Sequence, residues 1–263
     1  MSETQKIIKI IAYLLAISII IGICTGVFNI INAFIPTTEK IVVDDYYKEF
    51  TNIKELNMSI NAADLIINEG ETFSIKAEKL VSKIIVKEDN GKIKIKQNKV
   101  RVNNNSSGLI VITIPSTLNK LYLDGGAGHI TINDIKSKST KLSLGFGQVD
   151  INNVEFGNTD ISGGAGNIEI NKSTIEDLKL DSGAGRIKIN AELKGESNID
   201  CGVGEMNILL LGGEDNYKIK AEKGIGNITI ANKNYGDEIT YGKGKNYIKI
   251  KGGVGNVSIR FQK

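Results

Sequence analysis

The sequence predicts an all-β protein, a parallel β-solenoid or β-helix of about 19-residue coils, preceded by one N-terminal transmembrane helix. Three observations carry this expectation. A G-x-G motif returns with its first glycine at Gly126, Gly145, Gly164, Gly183 and Gly202, four successive intervals of 19 residues. Each copy is followed by apolar and polar residues in alternation, the period of a strand with one buried face. Finally, Ile10 to Thr38 is a run of 29 residues without a charge.

Composition agrees with a punctuated β chain. Of 263 residues, 29 are Gly and only 2 are Pro, while Ile, Val and Leu recur too regularly for a disordered Gly-rich chain. The 33 basic and 30 acidic residues are evenly mixed, for a net charge of +3, so no nucleic-acid partner is expected. Cys24 lies in the apolar run and Cys201 in a repeat. That placement argues against an internal disulfide, and no Cys/His cluster points to zinc.

Taken from the N-terminus, residues 1–9 are expected to be a cytoplasmic tail, 10–35 a transmembrane anchor and 36–50 a linker. The densest apolar stretch, Ile10 to Phe28, is 19 residues long, close to the ~20 that cross a bilayer as a helix. Lys6 and Lys9 precede it, while Glu39, Lys40, Asp44 and Asp45 follow. The positive-inside bias then places the N-terminus in the cytoplasm and the C-terminal domain outside the cell membrane. A cleaved signal peptide is the alternative, although the best cleavage candidate, ending at Ala33, has Ile31 where a small residue is wanted. Lipidation of Cys24 is disfavoured by Ile23 before it.

Residues 51–263 form the expected ectodomain, with N-terminal strands at 51–115 and glycine-corner repeats at 116–263. Lys54 to Gln97 reads as a strand meander, with Asp89-Asn90-Gly91 as a hairpin turn. Val100 to Gly108 reads as a polar loop, and Leu109 to Ile114 as a strand ended by Pro115. Within the repeats a short strand ends at Leu123, Leu142, Ile161, Leu180 and Ile199, the glycine corner follows, and a second strand leaves it. One such unit cannot bury its apolar face alone. Stacked on its neighbours at ~4.8 Å, it builds a continuous core of Ile and Leu columns. The C-terminal Val257 to Lys263 is expected to be an exposed strand edge or a cap.

The corner glycines are Gly126 and Gly128, Gly145 and Gly147, Gly164 and Gly166, Gly183 and Gly185, Gly202 and Gly204, Gly224 and Gly226, and Gly253 and Gly255. Their expected role is structural, because a corner needs backbone at φ > 0 or in close approach to the next coil. On the first of these grounds Gly164→Val is expected to destabilise the domain. Asn133, Asn152, Asn171 and Asn190 also fall 19 apart and are expected to form a structural ladder, since Asn tolerates left-handed turns and can hydrogen-bond along a stack.

The same residues exclude several chemistries. A dinucleotide loop needs G-x-G-x-x-G ahead of a helix, whereas strands follow every copy here. A calcium β-roll needs Asp two residues after the second glycine, where Ile130 and Ile168 stand. His129 is the one histidine, in a corner column shared with Gln148, Asn167 and Arg186, so it reads as a solvent-facing turn residue. Asp150 and Glu169 share a column that continues to Lys188, which suits either a carboxylate pair or a ladder of alternating charge. No catalytic, cofactor-binding or metal-binding residue is assigned, and no enzyme activity is expected.

The opening Ile53 to Gly70, the stretch Leu109 to Ile132 and the recurring G-x-[IV]-x-[IV] units resemble the bacterial putative-adhesin domain family, from about Phe50 to the end. The resemblance implies a repetitive β-strand domain, membrane-anchored or surface-exposed in many members, and brings no catalytic residues. Expected partners are the membrane, through the single-pass anchor, and a cell-wall polymer or a surface or membrane protein. A cell-envelope stress sensor acting through a membrane partner is the alternative, and a polysaccharide-active enzyme a third reading.

Overall fold

In the computed structural model the described residues are 45–98, 108–115 and 117–263, and they fall in one unit. The anchor expected at 10–35, the tail before it and most of the polar loop lie outside the described residues. Among the described residues no helix is long and apolar enough to cross a membrane.

The described residues are strand almost throughout. The N-terminal strands are β1 (Tyr46–Phe50), β2 (Glu55–Ala62), β3 (Asp64–Glu69), β4 (Phe73–Glu78), β5 (Ile84–Asp89), β6 (Lys92–Gln97) and β7 (Leu109–Ile114). The repeats follow as β8 (Leu118–Asn133), β9 (Lys136–Asn152), the 40-residue β10 (Glu155–Lys194), which holds two coils, and β11 (Glu196–Leu211). The C-terminal set is β12 (Tyr217–Ile225), β13 (Ile228–Ile230), β14 (Lys233–Tyr235), β15 (Glu238–Gly242), β16 (Asn246–Val254) and β17 (Val257–Gln262).

From β8 to β11 the coils stack in chain order and in parallel. Leu123 pairs with Leu142, Leu142 with Ile161, and Leu180 with Ile199, each shifted by 19 residues. The alternation that predicts the strands also buries them. Leu123, Leu142, Ile161, Leu180 and Ile199 form one fully buried column before the corner, and Ile132, Ile151, Ile170, Ile189 and Ile208 another after it. Each such side chain is worth roughly 1.5–3 kcal/mol of burial, so the columns are the main source of stability.

Both ends depart from chain order. At the N-terminal end, β2 and β3 are not a meander: they pair in parallel with β8 and supply the coil before it. On their other side they pair in parallel with β6 and β7, which come later in the chain but stack further out. At the C-terminal end, β11 pairs with β16 and β17, and these in turn pair with β12 and β13. The last copy of the repeat therefore sits between the fifth and the sixth. Val257 to Gln262 is thus an interior strand, paired on both sides over Val257 to Ile259, where an edge or cap was expected.

Antiparallel strands close the two ends. β4 and β5 pair with β7 and β6, and β14 and β15 pair with β13 and β12. The antiparallel strands thus cover the outer edge of the outermost parallel coil at each end. β1 adds to β4, with Phe50 edge-on to Phe73 at 6.1 Å, so the last five residues of the expected linker belong to the folded domain. The β5–β6 hairpin turns through Asn90 at φ 47° and Gly91 at φ 77°, as the Asn-Gly pair requires.

Candidate functional site

Alternation after each corner points Ile130 and Ile132 inward and leaves His129, Thr131 and Asn133 outward. The 19-residue register then aligns the outward residues of successive coils, so that one face of the stack carries columns about 4.8 Å apart along each column. The first column is His129, Gln148, Asn167, Arg186 and Glu205; the second is Thr131, Asp150, Glu169, Lys188 and Asn207. The third is the asparagine column.

The corners position these columns. Gly128, Gly147, Gly166, Gly185, Gly204, Gly226 and Gly255 all have φ between 134° and 151°. A Cβ on Gly185 would stand 1.7 Å from the carbonyl oxygen of Gly166, so the site rejects any side chain twice over. The first glycines, Gly126, Gly145, Gly164, Gly183, Gly202, Gly224 and Gly253, differ: none is left-handed, and close approach alone constrains them. For Gly164 the obstacle is the Gly145 carbonyl oxygen, 2.3 Å from an added Cβ. The φ argument for Gly164→Val is therefore replaced by a steric one. In the β2–β3 coil, Asn61 and Ala63 occupy the corner columns instead. There the buried Gln97 amide closes the stack, accepting from the Asn61 and Ala62 N–H groups at 2.9 Å and donating to the Ala62 carbonyl at 3.1 Å.

The asparagines hydrogen-bond in sequence. Asn133 donates to Asn68 at 2.8 Å, Asn152 to Asn133 at 2.9 Å, and Asn171 to Asn152 at 3.1 Å. The left-handed turn expected of these residues falls one position later, at Asp134, Asn153 and Lys172. Asn190 is in the same column, but its neighbour in the next coil is Leu209, which has nothing to donate, and its Oδ1 is buried without a partner.

The polar and charged groups on this face find partners among themselves. The His129 ring meets Asp150 at 2.5 Å, and the Gln148 amide donates to both Asp150 oxygens at 3.1 and 2.9 Å. The Lys188 ammonium donates to Glu169 at 2.6 Å and the Asn171 amide donates at 3.1 Å; together they hold the Glu169 carboxyl below the usual range. Asp150 and Glu169 thus have separate partners. Among the described residues no hydroxyl or thiol hydrogen-bonds the His129 ring, and no group of three His, Cys, Asp or Glu could hold a metal. Cys201 is buried, and burial pushes its thiol up.

A fourth column was missed by the sequence reading. The middle residue of G-x-G is Ala127, Phe146, Ala165, Ala184, Val203, Ile225 or Val254, apolar in all seven copies. It forms a ridge along the corners beside the His129 column, and Phe146 is 67% exposed and Val203 37%. Seven apolar residues at one repeat position that points away from the core were the available signal. Asn68, Gln97 and Asp64, whose carboxylate accepts from the His129 N–H at 3.0 Å, were missed as well, since each acts from a coil that carries no glycine motif.

The Toastrack family model, DUF4097, matches residues 51–260. The chain belongs to the Toastrack family. No curated protein matches this Toastrack chain. Among solved structures, a putative adhesin from Bacteroides fragilis is 16% identical over 84% of this chain and 98% of its own, with a TM-score of 0.49. A putative cell adhesion protein from Clostridium sporogenes is 18% identical over 83% and 99%, with a TM-score of 0.35. A putative lipid binding protein from Parabacteroides distasonis is 16% identical over 84% and 96%, with a TM-score of 0.38.

Proposed function

We propose that this Toastrack protein is a membrane-anchored, extracytoplasmic surface module that binds an extended envelope polymer along its columned face and carries out no catalysis. One observation carries the reading: outward polar side chains are held in register over successive coils, so a polymer lying along the stack meets hydrogen-bonding groups at one regular spacing. The pairing of Lys188 with Glu169 supports binding by polar contacts rather than by net charge, and the separate partners of Asp150 and Glu169 leave them no shared proton to move. The anchor rests on the charge-free run from Ile10 to Thr38, with Lys6 and Lys9 before it.

The exposed ridge of Phe146 and Val203 favours a second reading, in which a membrane protein packs on the corners and the protein reports envelope damage. One experiment separates the two. A photoreactive residue at Asn167, exposed in the first polar column beside the ridge, is activated on intact cells carrying the full chain. Capture of wall polymer supports the binding module; capture of one membrane protein, lost in Phe146→Ser, supports the sensor. Absence of any crosslink at Asn167, with efficient crosslinking from a position on the opposite face, overturns both.

A further inference from the structure

The charges on the other outward face are not compensated everywhere. On the β5–β6 hairpin, Lys92, Lys94 and Lys96 alternate with the buried Ile93, Ile95 and Gln97, so all three ammonium groups leave the same side. Lys87 of β5 stands directly opposite Lys94, and Ile85, 45% exposed, directly opposite Lys96. Like charges facing each other across an antiparallel pair are destabilising. The acidic groups nearby are spoken for or turned elsewhere: Glu55 lies 3.6 Å from Lys92 and 3.9 Å from Lys120, Asp89 is opposite Lys92, and Glu88 accepts from the Gly91 N–H. Lys87, Lys94 and Lys96 have no ion-pair partner among the described residues. By contrast, in the middle of the stack Lys141 pairs with Asp160 and Lys179 with Asp181 on the same face.

The hairpin also closes the end of the stack where the chain enters. Its turn accepts the N–H groups of Lys54 and Glu55 at the Gly91 carbonyl, only four residues after β1 ends. Between Phe28, the end of the dense apolar segment, and Asp45 there are 17 residue steps. Extended chain covers at most about 60 Å in that length, so the lysines are tethered within reach of the bilayer surface.

We propose that the β5–β6 hairpin docks on anionic lipid headgroups of the membrane that holds the anchor, with Lys87, Lys94 and Lys96 meeting the phosphates and Ile85 entering the interface. The inference rests on the anchored reading above. Clustered lysines beside a membrane-tethered segment, together with an exposed aliphatic residue, match the charge and the polarity step of an anionic lipid surface. Docking would hold the stack by its N-terminal end and fix which way the polymer-binding face looks.

The test uses the full chain in nanodiscs, either phosphatidylcholine alone or phosphatidylcholine mixed with phosphatidylglycerol, with hydrogen exchange read at residues 84–97. Each lysine at an anionic surface is worth about fivefold in binding, so with three lysines exchange at the β5 amides is expected to slow by at least about tenfold with phosphatidylglycerol. The Lys87→Gln, Lys94→Gln, Lys96→Gln variant returns to within about twofold of the phosphatidylcholine value, as does the parent in high salt. This variant relieves a like-charge contact, so its folding is retained. Exchange independent of lipid charge, or protection that survives in the variant, overturns the docking. The same protection produced by soluble polyglycerol phosphate in phosphatidylcholine discs overturns it in favour of a polymer. A chain that does not enter nanodiscs at all is a failure of the anchor, seen before any exchange is measured.

Discussion

The middle of the stack and its two ends solve the same problem by different means. From β8 to β11 every coil is held by its neighbours through identical glycine corners, and order in space follows order in the chain. At the ends the chain folds back, sets antiparallel strands on the outer edge and slips one coil inward. The difference shows what a repeat specifies. Identical units fix how two coils stack but not which two, and the ends need something other than the repeat to stop it.

The sharpest way to break the comparison is a methyl group in the middle. Gly185→Ala places a Cβ 1.7 Å from the Gly166 carbonyl oxygen at φ 135°, whereas Gly236 has nothing within 4 Å of an added Cβ. Gly185→Ala is expected to cost more than about 3 kcal/mol in urea unfolding, and Gly236→Ala less than about 0.5 kcal/mol. Equal midpoints for the two variants would mean that the corners are not in the close contact described.

A smaller effect is expected from the cap. Gln97→Ala leaves the Asn61 and Ala62 N–H groups and the Ala62 carbonyl without the amide that satisfies them. A loss of about 1–3 kcal/mol is expected, with faster hydrogen exchange confined to β2, β3 and β6. Exchange accelerated equally in β9 and β10 would show that the end is not a separate cap.

The smallest effect belongs to the face. Because Lys188 and Asn171 hold the Glu169 carboxyl below its ordinary value, the group stabilises the fold above the ordinary carboxylate range, and that contribution is lost as pH falls through the depressed value. Glu169→Gln should therefore lower stability at neutral pH by less than about 1 kcal/mol and remove part of the decline on the acid side. An unchanged acid limb in thermal melts at a series of pH values would show that the pair contributes nothing.

Much of this was legible in the chain. The 19-residue interval, the alternation and the Asn-Gly turn named the coil, its buried columns and the β5–β6 hairpin, because each is set by neighbours in sequence. The columned face was legible for the same reason: His129 shares a repeat position with Gln148, Asn167 and Arg186, and Asp150 shares one with Glu169 and Lys188. Two features are not legible in that way, the apolar middle residue of every corner and the three alternating lysines of β6. Both look like ordinary strand or turn composition until the register places them on one surface.

The sequence by itself determined the parallel coil, its glycine corners and its buried Ile and Leu columns, since these follow from backbone sterics and a period of two. Only the tertiary structure decided that β2 and β3 join the stack, that the last copy lies inside the sixth, and that Gln97 ends the corners. The reason is physical. Pairing between coils depends on backbone hydrogen bonds and apolar columns that are nearly the same in every copy, so neighbours in sequence do not choose among equivalent partners, and contacts distant in the chain do.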